Sequence, residues 1–346
     1  MLKLSFILPC YNVAPYIGRC IESIEAQDIP QMEYEVICVD DCSKDNTVEV
    51  IKEYQKRYPN IRLICHTENK TAGGARNTGI DAAQGEYIWC VDPDDSIRSK
   101  VIGVLISKAE MMNLDILLFN LSMKKENGQQ TKESIIHKSH NRTFTGKEYI
   151  EQQCAPRYIY NVAFHTCCLY KREFLNSKSI RYPEIRAAQD VVFVWSSMFN
   201  AQRVSAKDTV CYNVIRRPNS TTGSKGCMAA RAILSQSLLF AYEIHALRDK
   251  NKDLGTIVTN SINQAIGYAL NTDSRNILYT TKQNQKEFYK SLQQNKEKIN
   301  VLHSYMNRKT KRIFAYNIPY ILWQCKVWAY RIINNVKQRE SISYEK

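Results

Sequence analysis

The sequence of 346 residues lacks the features that mark several classes of protein. Its 12 cysteines form no CxxC pair and no regular framework, so a disulfide scaffold is not indicated. No run approaches the roughly 20 apolar residues that a membrane-spanning helix needs, and no repeat period marks a solenoid. The first strand-like run begins at Lys3 without a charged leader, which argues against a signal peptide. We therefore expect a soluble, folded protein in the reducing cytoplasm.

Positive charge is abundant but unevenly placed. The formal net charge is +14, and residues 286–346 hold 13 Lys and Arg against 4 Asp and Glu, so +9 of the total lies in that segment. A basic excess can serve nucleic-acid binding, but here it avoids the half of the chain that carries the motifs described below. No RNA- or DNA-binding signature is present either. The basic character therefore belongs to the tail, and we expect no nucleic-acid partner.

The first part of the chain alternates between strand-like apolar runs and helical patterns. Helical spacing covers about Pro15 to Ala26 and about Thr47 to Tyr58. This alternation is typical of β-α-β units and a mostly parallel sheet, so it predicts an α/β fold. The strand-like runs are Leu4–Leu8, Glu35–Val39, Arg62–Cys65 and Tyr87–Val91. Long helical patterns dominate from Gly226 onward, which predicts a helical C-terminal region.

The middle of the chain contains three further recognisable segments. Residues 122–140 are polar and predict an exposed hairpin or loop. A helix is predicted at Thr145–Gln153, because Thr145 and Glu148 have the spacing of a capping box. Another amphipathic helix is predicted at Ala187–Asn200.

Three carboxylates, Asp92, Asp94 and Asp95, follow the apolar run that ends at Val91. Alternate side chains of an extended segment point the same way, so Asp92 and Asp94 can face one point in space. Such oxygen ligands suit Mg²⁺ or Mn²⁺, although an isolated cluster of this kind is also typical of a solvated turn. Other polar residues end the neighbouring predicted strands, where open α/β sheets bind their ligands. This arrangement favours a binding site.

Four segments between about Leu4 and Arg217 carry ordered motifs: SFILPCYNVAPYIGRCIESI, YEVICVDDCSKDNT, ENKTAGGARNTGIDAAQGEYIWCVDPDD and RYPEIRAAQDVVFVWSSMF. Together they resemble the inverting family 2 glycosyltransferases of the GT-A fold. The resemblance implies a Rossmann-like mixed, mostly parallel sheet in which residues 1–110 bind a nucleotide sugar. It also implies an acceptor-binding half with the catalytic base at 111–225, and it leaves 226–346 as an appended helical region.

The resemblance implies a nucleotide pocket with named contacts. They are Pro9 and Tyr11 beside the base, Asp41 and Asn69 on the uracil or ribose, and Arg76 between base and phosphate. A carboxylate is a sound acceptor for an imide N–H or ribose hydroxyls, and the planar donor fork of arginine suits a phosphate. Gly73 and Gly74 would let the backbone approach the nucleotide closely.

The resemblance also implies a divalent ion that neutralises the diphosphate leaving group, Mn²⁺ or Mg²⁺. Asp94 is the expected direct ligand, Asp92 would hold the ribose or a metal-bound water, and Asp95 would support them. None of the six histidines falls in a metal-ligand spacing.

Inversion requires a carboxylate that takes the proton of the attacking acceptor hydroxyl. By resemblance that base is Asp190, although Gln189 stands where the family commonly has Glu. Arg216 or Arg217 would reach the diphosphate from a later segment. Cys168 stands where a lysine is frequent.

Residues 308–339 combine basic side chains with an apolar helical stripe. This pattern is typical of an interfacial helix drawn to anionic lipid headgroups, and equally of a helix packed on the catalytic domain. The basic residues are Arg308, Lys309, Lys311 and Arg312, and the apolar ones are Ile321, Leu322, Cys325, Trp328, Ile332 and Val336.

The sequence thus predicts an inverting, metal-dependent hexosyltransferase. It would move a sugar from a nucleoside-diphosphate donor, UDP-linked, to a hydroxyl of a glycan or lipid-linked oligosaccharide during cell-surface polysaccharide synthesis. Its place would be the cytoplasm or the inner face of the cell membrane. The alternatives are a nucleotide-sugar-binding protein without transfer activity and a nucleotidyltransferase.

Overall fold

A computed structural model of the chain describes residues 2–127, 129–134, 137–153, 164–186, 188–216, 236–277, 281–315, 319–324, 326–327 and 329. Contacts divide the chain into two compact units, Met1–Arg217 and Pro218–Lys346. The first unit contains the whole of the predicted segment 1–110 and most of the segment 111–225.

One mixed sheet forms the centre of the first unit. Its strands are β1 (Leu4–Cys10), β2 (Tyr34–Asp40), β3 (Ile61–Cys65), β4 (Tyr87–Cys90), β5 (Ser96–Ile97), β6 (Ile116–Lys125), β7 (Gln130–Ser134), β8 (Cys168–Lys171) and β9 (Val204–Arg216). Their order is β3-β2-β1-β4-β8-β6-β9-β5, with β7 paired to β6. The first four strands of this path run parallel, and β8 runs antiparallel to both of its neighbours. The predicted α/β fold with a mixed sheet is confirmed.

Strands β1 and β2 are buried along their whole length, as expected for parallel strands covered on both faces. Two polar residues inside them, Ser5 and Glu35, are paired. Ser5 Oγ donates to Glu35 Oε1 at 2.7 Å, and Arg62 Nη1 lies 2.7 Å from Glu35 Oε2. The sheet therefore contains a buried carboxylate without leaving its charge unpaired.

Seven helices of the first unit connect these strands in the described ranges. They are α1 (Ala14–Glu25), α2 (Thr47–Arg57), α3 (Thr71–Ala82), α4 (Ile102–Met111), α5 (Gly146–Gln153), α6 (Arg172–Ser177) and α7 (Gln189–Asn200). The helical spacing predicted α1, α2 and α7 to within about two residues at each end. Helix α1 buries Ile17, Cys20, Ile21 and Ile24, the residues whose periodicity indicated it.

The capping box predicted at the start of α5 is confirmed. The Thr145 N–H donates to Glu148 Oε2 at 2.7 Å, and the Glu148 N–H donates to Thr145 Oγ1 at 3.2 Å. The predicted hairpin is also confirmed, since β6 pairs with β7. Its predicted exposure is wrong at two positions: Ser122 and His137 are buried, because each bonds to another buried polar group, Asn213 Oδ1 and Tyr149 OH respectively.

The second unit is helical where it is described, as the sequence predicts. Its helices are α8 (Gln236–Lys250), α9 (Thr256–Asn276), α10 (Lys282–Gln294), α11 (Lys296–Leu302) and α12 (Arg308–Ile313). Over the described residues of both units, no helix is both long and apolar enough to cross a membrane.

The tail helix that follows α12 is described only in part. Trp323 is buried and donates its indole N–H to the Ile313 carbonyl at 2.6 Å. Ile321 and Leu322 of the predicted apolar stripe are instead 73% and 55% exposed. The remaining stripe residues, Cys325, Trp328, Ile332 and Val336, lie outside the described residues.

Candidate active site

The loops after β1 and β2 are tied to each other at the edge of the sheet where the strands end. Asn12, which follows β1, donates its backbone N–H to Ser43 Oγ at 3.0 Å, and its Oδ1 accepts from the Lys44 N–H at 2.7 Å. Asn12 also has a φ of 53°, a left-handed conformation in which Asn is enriched. These bonds give the two loops one fixed geometry, next to the end of β4.

Asp41, predicted to bond the uracil or ribose, is a buried carboxylate held by its neighbours. Its Oδ1 accepts from the Lys70 N–H at 2.7 Å and lies 2.8 Å from His66 Nδ1, while His66 Nε2 lies 2.9 Å from Thr78 Oγ1. The Asn69 amide donates to the Asp41 carbonyl oxygen at 3.1 Å. The structure therefore brings the two predicted nucleotide contacts, Asp41 and Asn69, together and fixes both.

The two residues predicted beside the base differ in exposure. Pro9 is buried within β1, whereas the ring of Tyr11, just past the end of that strand, is 48% exposed. An exposed aromatic ring at a strand end is available for stacking on a planar base. The geometry thus fits a contact through Tyr11 more directly than through Pro9.

Arg76 and Asp92 form an ion pair between a buried guanidinium and a carboxylate that is 31% exposed. Arg76 on α3 is buried, its Nη2 donates to Asp92 Oδ1 at 2.6 Å, and its guanidinium carbon lies 5.2 Å from the centroid of the Tyr182 ring. Burial alone would raise the pKa of Asp92, but Arg76 and then His165 outweigh burial and hold that pKa well below its usual range. Asp92 is therefore ionised, with one oxygen engaged by the protein itself.

Asp95 is bound to β9. Its Oδ2 accepts from the Tyr212 hydroxyl at 2.8 Å, and its Oδ1 accepts from the Ile215 N–H at 2.7 Å. The same Tyr212 hydroxyl accepts the Asp92 backbone N–H at 3.1 Å. Burial, and then the nearby charge of Asp92, raises the pKa of Asp95 to about 7. Since both oxygens are engaged by β9, the geometry fits Asp95 as a support of the Asp92–Asp95 turn and not as a direct metal ligand.

Asp94 is the residue of this turn that best fits a metal ligand. It is partly exposed, and its carbonyl oxygen accepts from Arg19 Nη2 at 2.8 Å, which orients the turn. Among the described residues, no three His, Cys, Asp or Glu side chains are grouped closely enough to hold a metal ion. Mg²⁺ at nucleotide sites commonly takes one or two protein carboxylates and completes its shell with phosphate oxygens and water. The donors present therefore fit such an ion in company with a bound nucleotide.

Asp190 and Asp92 approach one buried histidine from two sides. Asp190 lies in the first turn of α7 with its side chain 37% exposed. Its Oδ2 lies 3.9 Å from His165 Nδ1, and Asp92 Oδ1 lies 3.6 Å from His165 Nε2. Neither ring nitrogen finds a hydrogen-bond partner within the described ranges. The predicted base, Asp190, is thus separated from the Asp92 carboxylate by the ring of His165.

Gln189 is buried against α3. A Cβ added to Gly73 would lie 2.2 Å from Gln189 Oε1, so the absence of a side chain at Gly73 lets α3 and α7 approach each other. We therefore attribute Gly73 to protein packing, in place of the expected contact with the nucleotide. Gln189 Oε1 is buried without a hydrogen-bond partner among the described residues, and an ionised Glu at this position would bury a full charge.

The remaining predicted residues lie at or beyond the edge of the described site. Arg216 is exposed at the end of β9, with Nη2 3.2 Å from Met123 Sδ. Arg217 lies outside the described residues, so the choice between the two arginines stays open. Cys168 is fully buried in β8, and burial raises the pKa of its thiol to about 12, which marks it as a core residue.

Four residues that hold the site together were not anticipated: His66, His165, Tyr182 and Tyr212. Tyr182 illustrates why, since its ring stacks on Phe193 at 3.9 Å between centroids and also lies beside Arg76. Each of these contacts joins residues that are distant in sequence. The available signal was their position within or beside the motif segments, which was too weak to assign a role.

Comparison with known proteins assigns the chain to a protein family. The sequence model of Glycosyl transferase family 2 matches residues 5–177, half of the chain. The chain belongs to glycosyl transferase family 2. The predicted family is thereby confirmed, and the match covers the strand ends with Asp41, Arg76 and Asp92 as well as His165.

Sequence relatives of this family 2 chain include proteins named for transfer to polymers. It is 35% identical over 222 residues to the uncharacterized glycosyltransferase EpsJ of Bacillus subtilis, covering 63% of this chain and 62% of EpsJ. It is 31% identical over 219 residues to the poly(ribitol-phosphate) beta-glucosyltransferase of Bacillus spizizenii, covering 62% of this chain and 33% of that protein. The matches thus span less than two thirds of these relatives.

Solved structures share the fold. The crystal structure of Staphylococcus aureus TarS 1–349 in complex with UDP-GlcNAc has a TM-score of 0.64 at 22% identity, covering 98% of this family 2 chain and 92% of TarS 1–349. The mannosyltransferase PcManGT of Pyrobaculum calidifontis, in complex with GDP-Man and Mn²⁺, has a TM-score of 0.50 at 19% identity, covering 94% and 87%. At these identities the likeness establishes the fold, and it confirms the predicted GT-A architecture.

Proposed function

We propose that this chain transfers a sugar from a nucleoside-diphosphate sugar, UDP-linked, to a hydroxyl of a glycan or lipid-linked oligosaccharide with inversion at the anomeric carbon. The observation that carries the proposal is the arrangement around His165. Asp92, paired with Arg76, and Asp190, partly exposed, lie on opposite sides of that one ring. A donor-side carboxylate and an accessible base are therefore neighbours, as a single displacement step requires.

The chemistry assigned to each residue follows from this arrangement. The Asp190 carboxylate takes the proton of the acceptor hydroxyl as its oxygen bonds to the anomeric carbon. The bond from that carbon to the diphosphate oxygen breaks on the opposite face, and its electron pair leaves with the nucleotide. Tyr11, Asp41 and Asn69 hold the base and ribose, in geometry that the loop bonds fix before the donor arrives.

A divalent ion, Mn²⁺ or Mg²⁺, belongs to the proposal because the leaving group is doubly charged. Asp94 would hold it, with Asp92 near the ribose or a metal-bound water. When bound, such an ion would neutralise the negative charge that develops on the diphosphate. The Mn²⁺ in the structure of the similarly folded mannosyltransferase supports this part of the proposal.

The acceptor class is proposed from the relatives. Two of them are named for transfer of glucose and N-acetylglucosamine to poly(ribitol-phosphate), and another for succinoglycan biosynthesis. These names support a role in cell-surface polysaccharide synthesis, in the cytoplasm or at the inner face of the membrane.

The test is a panel of UDP- and GDP-sugars incubated with the full chain in Mn²⁺, in Mg²⁺ and in EDTA, with released nucleotide measured. We expect release from one donor or a few related donors, only with a divalent ion, and its loss in Asp94→Ala. Asp208→Asn is the matched control, because Asp208 is an exposed carboxylate that bonds Ser139. Release from no donor with either metal, or undiminished release by Asp94→Ala, would contradict the proposal.

We also propose that the second unit contacts the membrane surface. Exposed Ile321 and Leu322 follow the basic sequence of α12, so an apolar and a cationic group lie close together in the chain. Anionic headgroups attract such basic segments by about 1 kcal/mol per basic residue. In flotation with anionic liposomes, Ile321→Ser with Leu322→Ser should lower binding, whereas Val301→Ser, at another exposed apolar residue of the unit, should not. Equal flotation of all three proteins would contradict this contact.

A further inference from the structure

A second cleft of about 590 Å³ lies in the first unit, on residues that differ from those of the candidate active site. It is bounded by α1, by the chain that runs from β5 toward α4, and by β6 and β9. None of the residues proposed for the nucleotide, the metal or the base lines it. Its volume is within the range of sites that bind small ligands.

The charge of the cleft has one sign. Arg19 on α1, Arg98 after β5 and Lys124 on β6 line it, and no carboxylate side chain belongs to the lining formed by the described residues. The other polar lining groups are hydroxyls and one amide, including Ser96 and Asn213. Cations that converge on a concave surface create a positive potential, which a bound anion relieves.

Neutral donors in the cleft wall are held in place. Asn213 is buried on β9, and its Oδ1 accepts from the Ser122 hydroxyl at 2.7 Å. That bond turns the Asn213 amide N–H group toward Ser96 Oγ, at 3.4 Å. Ser23 is fixed in a similar way, because its hydroxyl donates to the Cys20 carbonyl at 2.7 Å and accepts the Ile97 N–H at 3.0 Å. The wall is therefore ordered before any ligand arrives.

Arg19 joins this cleft to the acidic turn of the active site. It lines the cleft and also donates from Nη2 to the carbonyl oxygen of Asp94 at 2.8 Å. An anion bound by Arg19 would therefore contact the same side chain that bonds the Asp94 carbonyl oxygen. The cleft is separate from the predicted nucleotide contacts, and Arg19 joins it to the Asp94 turn by one hydrogen bond.

We propose that this cleft binds a phosphate group carried by the acceptor substrate, an inference that rests on the proposed function. Two guanidinium groups, an ammonium group and an amide belong to the lining of the cleft, on α1, on the segment after β5, on β6 and on β9. The separate oxygens of a tetrahedral phosphate can each meet a different donor, whereas a planar carboxylate is satisfied by a single arginine fork. A phosphate-bearing acceptor would thus be held beside the Asp94 turn.

Lys124 and Lys125 offer a matched pair for the test. They are adjacent on β6, so their side chains point to opposite faces of the sheet. Lys124 lines the cleft, whereas Lys125 Nζ donates to Gln129 Oε1 at 3.1 Å and does not line it. Charge reversal at either position therefore changes the net charge by the same amount. Only the change at Lys124 places a negative charge in the lining of the cleft.

The full chain, with UDP and Mg²⁺ in excess to fill the nucleotide site, is titrated with glycerol 3-phosphate at constant ionic strength, and binding is followed by ³¹P line broadening. We expect Lys124→Glu to weaken binding about tenfold or more and Lys125→Glu to change it less than about twofold. Glucuronate, measured by its own proton signals, should bind the wild type more weakly than glycerol 3-phosphate.

Three results would overturn the proposal: equal weakening by both variants, glucuronate binding as tight as that of glycerol 3-phosphate, or binding of inorganic phosphate without binding of glycerol 3-phosphate. Thermal stabilisation by UDP is recorded for the same three proteins, and the titration is repeated without UDP. Failure of the proposed function appears as absence of UDP stabilisation. Failure of the cleft appears as absence of Lys124-dependent phosphate binding while UDP stabilisation persists.

Discussion

The donor side and the transfer side of the candidate active site are built differently. On the donor side, Asp41 and Asp95 are buried and bonded to backbone N–H groups and neighbouring side chains. On the transfer side, Asp190 is partly exposed, and both ring nitrogens of the adjacent His165 lack a partner among the described residues. The difference indicates that the candidate nucleotide pocket is ordered in advance, whereas the transfer side leaves the Asp190 carboxylate partly accessible to a substrate.

The largest expected effect tests the transfer side. Asp190→Asn removes the proposed base but keeps the size of the side chain, so turnover should fall by about 10²- to 10⁴-fold. Binding of UDP, measured by thermal shift, should remain unchanged because the donor side is intact. Asp208→Asn again serves as the control. If Asp190→Asn left transfer intact while Asp94→Ala abolished it, the assignment of the base would be wrong.

A second prediction tests whether the donor side is held by its ion pair. Arg76→Met leaves the Asp92 carboxylate without its partner, so the free energy of unfolding should fall by about 3 kcal/mol. In the double variant with Asp92→Asn, much of that loss should be recovered, because the unpaired charge is also removed. Urea unfolding of the wild type, both single variants and the double variant measures this coupling. Additive losses would show that the pair does not hold the donor side.

A third prediction concerns a pH dependence of stability that originates in Asp95. Its pKa is about 7 in the folded protein, above the ordinary value of 3.8, so the folded state retains a proton that the unfolded state has lost. The stability that this proton contributes is full below about pH 4 and is lost as the pH rises toward 7. Relative to Asp95→Asn, the wild type should therefore lose up to about 1.4 kcal/mol of stability per pH unit in this window.

Urea unfolding of the two proteins at several pH values between 4 and 8 measures that difference. Asp92 has a lowered pKa, so its contribution is lost only as the pH falls below the ordinary aspartate range, outside the window. Parallel stability curves for the wild type and Asp95→Asn would show that Asp95 is not the source.

Local sequence patterns predicted much of the fold. The apolar runs predicted the strands β1 to β4, and helical spacing predicted α1, α2 and α7, because both periodicities arise within a few residues. The capping box at Thr145 and Glu148 was readable for the same reason. The exposure of Ser122 and His137 was predicted wrongly, since the partners that bury them, Asn213 and Tyr149, belong to other elements.

The candidate site was predictable for those of its residues that belong to the sequence motifs. Asp41 contacts Asn69, and Arg76 contacts Asp92, in the region where the strands end, as expected for an open α/β sheet. The role of His165 was not predictable, because a single histidine in an apolar segment has no local signature. It reaches the end of β4 because β8 lies beside β4, where the Trp89 indole N–H donates to the Thr166 carbonyl at 2.8 Å.

The sequence by itself determined the family, the order of strands and helices along the chain, and the carboxylates that are candidates for the site. Tertiary structure decided which of these carboxylates is held by β9. Asp94 and Asp95 are adjacent in sequence, yet Asp95 is fixed by Tyr212 and Ile215, which are 117 and 120 residues away. Hydrogen bonds and burial depend on partners that only folding brings together, so no local pattern distinguishes these two aspartates.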